Sequence, residues 1–182
     1  MKITVVGRGN VGGGLAGLWR KAGHEVQELG QDGGDASDSD VVLLAVPSDA
    51  VADALGKVSG LEGKVTIDAT NRIRTPPPDG FDSLAAQVKS ITGGPTAKAF
   101  NLNFARAYDE IGNQSVTPSN IYCADDDARE VTEQLTRDAG YEPISIGDLD
   151  SAGAQEDAIL LFFALATAQG PVLYRFGKPG EL

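Results

Sequence analysis

The stretch Lys2-Ile3-Thr4-Val5-Val6-Gly7-Arg8-Gly9-Asn10-Val11-Gly12 decides how the rest of the chain reads. Ile3 to Val6 is a β-branched run that meets a G-x-G-x-x-G, and Leu15, Leu18, Trp19 and Ala22 then recur on one helical face. Strand, tight turn and helix in succession give the glycine pattern its weight, because the same glycines without that context carry little. Gly7 permits the turn, Gly9 lets the backbone come close to a pyrophosphate, and Gly12 lets the helix pack against the strand. The helix N-terminus then offers free N–H groups and a partial positive charge to phosphate. A glycine-rich turn that holds no ligand is the alternative.

Working outward, His24–Leu29 reads as a second strand, whose tip should carry whatever recognises an adenosine ribose. An acidic residue about twenty positions past the glycines would bond a 2′-hydroxyl, whereas an arginine would hold a 2′-phosphate. Glu28 has the nearest spacing but falls inside the strand, and the uncharged Gly30 and Gln31 occupy the tip. Residues 31–40, with Gly33-Gly34 and four aspartates, read as a shortened crossover made mostly of loop.

Val41–Val46 is a continuous apolar run closed by Pro47, as a parallel strand covered on both faces requires. A helix then starts at Ser48, a suitable N-cap. Lys64–Asp68 is the next strand, and the loop 69–78 after it lies near the crevice where open α/β sheets bind ligands. Arg72 and Arg74 in that loop could meet an anionic group or simply be solvated. Phe81–Val88 reads as helix, Thr96–Phe100 as a short strand, and Asn120–Ala124 as another. Asp125 then caps a helix with Ala128, Val131 and Leu135 on one face. Tyr141–Gly147 is the last strand. The closing helix, 151–169, is apolar nearly all round and so calls for burial on more than one side, in the core or at the interface of a homodimer.

The whole is an α/β chain with a doubly wound, mainly parallel sheet, a single domain over residues 1–182 with a short C-terminal helical addition. At 182 residues a substantial core is expected. Twenty-six acidic against fifteen basic residues give a net charge of −11, which opposes nucleic acid and anionic membranes as partners. A single cysteine leaves no internal disulfide and no cysteine metal cluster, and the chain reads as cytoplasmic, without a signal peptide or a membrane span.

Several segments together resemble the family of coenzyme F420-dependent NADP oxidoreductases. They are Gly7–Gly12 with Lys21–Val26, Asp40–Pro47, Ile67–Asn71, Lys98-Ala99-Phe100-Asn101, and Tyr122–Asp126 with Gly140-Tyr141 and Gly147–Leu149. They cover most of the chain in the family's order. The first three are shared by many Rossmann dehydrogenases; Lys98–Asn101 and the acidic turn at 125–127 are more particular. The resemblance implies a single Rossmann domain that moves a hydride between NADP(H) and a deazaflavin, coenzyme F420, or a flavin. Family members hold the 2′-phosphate with a Ser-Arg pair after the second strand, where this chain has Gly30-Gln31, so NAD stays open as the cofactor. Arg8 stands where the family tends to have Thr. Its planar fork suits phosphate, and it is the candidate to take over that contact.

The expected cofactor-binding residues are Gly7, Arg8, Gly9, Asn10, Val11 and Gly12 around the dinucleotide, and Gln31 at the second strand's tip. Val46 and Pro47 would flank the adenosine, with Asn71 and Asn101 at strand ends near the nicotinamide. No catalytic acid or base and no metal site stand out. His24 opens the second strand away from the crevice, Cys123 lies inside an apolar strand, and Lys98 would reach the site only from the strand end and otherwise reads as a surface or ion-paired lysine. Hydride transfer between two rings needs placement more than proton donation, since the cofactors carry the chemistry. A non-catalytic NAD(P)-binding sensor or regulatory module is the reading from another class. A small-substrate enzyme that draws its acid from water or from a second subunit is a third.

Overall fold

The computed structural model describes residues 1–180. Its frame is a seven-stranded sheet. The strands are β1 (Lys2–Val6), β2 (Glu25–Leu29), β4 (Val41–Leu44), β6 (Val65–Asp68), β7 (Thr96–Ala99), β8 (Ser119–Ala124) and β9 (Glu142–Ser145). Two two-residue strands, β3 (Gly34–Asp35) and β5 (Val58–Ser59), pair as a separate parallel ribbon. The helices are α1 (Asn10–Lys21), α2 (Val51–Gly56), α3 (Leu84–Thr92), α4 (Asp126–Asp138) and α5 (Ala152–Gln169).

Sheet order is β2-β1-β4-β6-β7-β8-β9, parallel throughout except for the antiparallel β7–β8 pair. The doubly wound, mainly parallel architecture is therefore present, and the chain reverses direction across the sheet between β1 and β4. Alternation along β4 shows how both faces are covered. Val41 and Leu43 enter a core with Leu15, Trp19 and Leu135, while Val42 and Leu44 enter another with Val51, Leu55, Leu84 and Val88. Burial on two faces is what makes that strand uniformly apolar. Trp19 anchors the first core, donating from its indole N–H to the Leu135 carbonyl at 2.8 Å.

Several boundaries differ from the sequence expectation. Ser48 opens a 3₁₀ turn and caps nothing; α2 begins at Val51. The helix expected from Phe81 starts at Leu84, because Ser83 accepts the Ala86 N–H and fixes the first turn there. Asp125 holds the N-cap position of α4, but its carboxylate is drawn away to Lys89 at 2.7 Å and to the Thr96 N–H at 2.9 Å. The segment expected as loop at 31–40 contains β3, and a 3₁₀ helix at Ala105–Asn113 had no counterpart in the sequence reading.

Candidate functional site

The C-terminal ends of β1 and β4 frame the crevice, and the three motif glycines serve it differently. Gly7 has φ +108, and a Cβ there would lie 2.3 Å from the Ala45 carbonyl oxygen. A Cβ on Gly12 would lie 1.9 Å from the Gly7 oxygen. Both glycines are thus required by the protein's own packing, and Val46 closes on Gly7 from the neighbouring strand end. Gly9 is another matter. Its φ of −75 suits any residue, and nothing lies within 4 Å of where its Cβ would be. The bare backbone there faces open space and leaves room for the close approach of a ligand. α1 starts at this point with no side-chain cap and no acidic residue in its first turn, so its N–H groups and dipole remain free for an anion.

Arg8 lies over the tip of β2. A Cβ on Gly30 would sit 2.3 Å from an Arg8 terminal nitrogen and 2.8 Å from its guanidinium carbon. The missing side chain at Gly30 is the space the guanidinium occupies. Arg8 is exposed and makes no hydrogen bond or ion pair among the described residues. Glu28, the acid with the spacing of a ribose partner, is engaged instead with Arg20 at 2.7 Å. Gln31 is exposed in the turn after β2, and Pro47 is exposed beyond β4.

At the far end of the crevice Asn71 and Asn101 meet. Asn71 donates to the Asn101 carbonyl at 2.7 Å, and Asn101 donates to the Asn71 side-chain oxygen at 3.0 Å. Phe100 makes this geometry. It is fully buried with φ +63, a left-handed conformation that a bulky residue adopts only when its surroundings enforce it. Its N–H is held by the Asn120 side chain at 3.0 Å, and β7 ends one residue earlier. Gln155 of α5 completes the cluster, donating to the Asn101 side chain at 2.7 Å. Gln155 Oε1 and Thr70 Oγ1 are buried there without a partner in the described chain.

Beneath this cluster lies a charge network that the sequence reading missed. The Lys98 ammonium is 0% exposed, 2.8 Å from Asp68 and 3.1 Å from Glu156 of α5. Glu156 also accepts the Leu84 N–H at 2.9 Å, so it satisfies the start of α3. Arg72 closes the set at 2.9 Å from Glu156 and 2.7 Å from Asp157. Arg72 is therefore committed to the fold and is not a loop arginine awaiting a ligand. Arg74 stays exposed with φ +58. Glu156 shares the buried stripe of α5 with Ile159 and Phe162, where an unpaired carboxylate could not be buried, but the helix is apolar nearly all round and gives no sign in sequence of which stripe turns inward.

Other titratable groups are tied up elsewhere. His24 is 2.8 Å from Asp138, far from the glycine turn in its contacts. Cys123 is fully buried, and burial pushes its thiol up to about 12, so it remains protonated and inert. Among the described residues there is no cluster of His, Cys, Asp and Glu able to hold a metal ion, and no helix is long and apolar enough to cross a membrane.

No protein-family model matches the chain, and no curated protein matches it. Solved structures do. A candidate F420-dependent NADP reductase from Arthrobacter sp. FB24 superposes with a TM-score of 0.83 at 21% identity, covering 98% of this chain and 100% of that one. A hypothetical protein from Sinorhizobium meliloti gives 0.65 at 24% identity, over 84% of this chain and 88% of that one. A reductive aminase from Aspergillus terreus, solved with NADPH and ethyl levulinate, gives 0.68 at 17% identity over 92% of this chain. The chain spans 62% of that aminase's length. At these identities the likeness is one of fold.

Proposed function

We propose that this chain is an oxidoreductase that binds NADP(H) and exchanges a hydride with a deazaflavin of the coenzyme F420 kind or with a flavin. The observation that carries the reading is the unpaired Arg8 guanidinium seated over Gly30, at the β2 tip where the adenosine ribose of a dinucleotide belongs. The bare backbone at Gly9 and the uncapped start of α1 supply the adjoining phosphate cradle. In this arrangement Asn10, Val11 and Gly12 present backbone N–H groups to the pyrophosphate. Arg8 takes the 2′-phosphate beside Gln31, and Val46 and Pro47 flank the adenosine. The Asn71–Asn101 pair sits by the nicotinamide. The bound nicotinamide supplies the hydride chemistry. The nearby ionisable groups, Asp68, Lys98 and Glu156, are buried and bound to one another, which favours a reaction that needs placement over one that needs a proton donor. The F420-dependent naming of the Arthrobacter protein adds weight to a deazaflavin as hydride partner.

Fluorescence titration with NADPH and NADH tests this directly. A bidentate arginine–phosphate contact contributes about 1.5–3 kcal/mol, so Arg8→Ala should weaken NADPH by roughly 10–100-fold and leave NADH nearly unchanged. Equal losses for both nucleotides would remove Arg8 from the 2′-phosphate. Failure of the unaltered chain to bind either nucleotide would overturn the whole reading. NADPH binding without turnover of F420 or a flavin would leave a sensor or regulatory module in its place.

A further inference from the structure

We infer that Arg20 sets the nucleotide preference from a distance, by holding the Glu28 carboxylate away from Arg8. This rests on the reading that Arg8 takes the 2′-phosphate, and it makes Arg20 a positioning residue that acts through Glu28. Glu28 and Gly30 stand two residues apart where β2 ends, so they share a face and lie roughly 7 Å from each other. The Arg8 guanidinium fills the space over Gly30. Glu28 Oε2 lies 3.6 Å from where a Cβ on Gly13 would be, and the Arg8 carbonyl oxygen lies 3.6 Å from the same point. An acid and an unpaired cation thus stand side by side at the tip of β2, yet among the described residues they make no ion pair with each other.

Arg20 is what keeps them apart. Its Nη1 donates to Glu28 Oε1 at 2.7 Å and its Nη2 to the Val26 carbonyl at 2.8 Å, so the planar fork is fixed at two points. Gly13, Gly17 and Arg20 recur at i, i+4 and i+7 on one face of α1, and a Cβ on Gly17 would meet nothing within 4 Å. Helical side chains lean toward the helix N-terminus, and this bare face gives the arm of Arg20 its path toward Glu28. The two side chains are 45% and 22% exposed, and an ion pair so exposed contributes little to folding. Its consequence is electrostatic. Released from Arg20, the Glu28 carboxylate would compete for Arg8 and set a negative charge beside the 2′-phosphate. At ~7 Å in water, Coulomb repulsion between that charge and a doubly charged phosphate alone amounts to about five- to tenfold in affinity. NADH carries a hydroxyl in that place and is spared.

Titration of the full chain and its variants with NADPH and with NADH decides it. Arg20→Ala should lower the preference for NADPH over NADH by about five- to tenfold, with unchanged far-ultraviolet dichroism, and the drop should shrink as salt is raised. Glu28→Gln added to Arg20→Ala should restore the preference, and Arg20→Lys, which keeps a cation beside Glu28, should retain it. A structural role alone would give losses shared by both nucleotides and no such rescue. The inference is overturned if Arg20→Ala keeps the preference. It is overturned too if Glu28→Gln fails to reverse the loss, since the charge of Arg20 itself would then be what draws the phosphates. Arg8→Ala, measured alongside, reports on Arg8 separately. A preference lost in Arg8→Ala but kept in Arg20→Ala removes only the role of Arg20, whereas one kept in Arg8→Ala removes both.

Discussion

Lys98 shows what a single residue does in this fold. Its side chain is enclosed between two carboxylates, each of them 0% exposed, so all three charges are stable only together. Lys98→Met leaves Asp68 buried without a cation and should cost about 3–5 kcal/mol in urea-unfolding stability. A loss below ~1 kcal/mol would mean that water reaches the site and screens it. Sequence reading identified Lys98 as a surface or ion-paired lysine, and the second of those holds. It could not find the partners, because Asp68, Lys98 and Glu156 come from three elements brought together only by the fold. That Asn71 and Asn101 follow strand ends was legible, and their meeting follows because strand ends converge in an open parallel sheet. The left-handed turn at Phe100 was not, since a bulky aromatic gives no sign of positive φ.

Among the elements, β8 and α4 illustrate a tie that reports on pH. Tyr122 of β8 donates to Glu133 of α4, and this hydrogen bond foremost, with help from Arg137, holds the Glu133 carboxyl below its ordinary range against a desolvation that opposes it. A carboxyl whose folded pKa is depressed adds stability above its unfolded value, near ~4.3, and loses that contribution as pH falls through the folded value. Tyr122→Phe should therefore cost about 1–2 kcal/mol at neutral pH, with the gap to the unaltered chain closing below about pH 4. A gap that stays constant into acid would show that the loss is one of packing. The long helices were legible: α1 and α4 fall where apolar spacing put them, and α5 where the chain is apolar nearly all round. The two-residue strands β3 and β5 are too short for alternation to register, and the 3₁₀ helix at Ala105–Asn113 lacks the α-helical period. Ser48 opens a 3₁₀ turn ahead of α2 and caps nothing, whereas the start of α3 is held by Ser83 together with the Glu156 carboxylate, tertiary support that is silent in sequence.

For the whole molecule, the doubly wound, mainly parallel sheet followed from one motif and the alternation of strands with helices, whereas the strand order and the antiparallel β7–β8 pair emerge only in the fold. The net charge of −11 acts on the same scale. Repulsion among unpaired carboxylates exceeds what surface pairs such as Lys57–Asp53 and Arg137–Glu133 return, so salt should stabilise the fold. Raising ionic strength from ~0.01 to ~0.15 M is expected to lift the melting temperature by about 2–4 °C, corresponding to roughly 1 kcal/mol. A decrease would mean that the surface pairs dominate. Stability is thus lodged in the two cores and the Lys98 network, whereas Arg8 is exposed and bonded to nothing in the described chain. Gly30 has no positive φ, and a Cβ there would meet only the movable end of Arg8. A lineage could therefore fill position 30 and push the guanidinium aside without weakening the fold. If Arg8 reads the nucleotide as proposed, selection for nucleotide choice and selection for folding would act on separate residues, and the two traits would be free to drift apart.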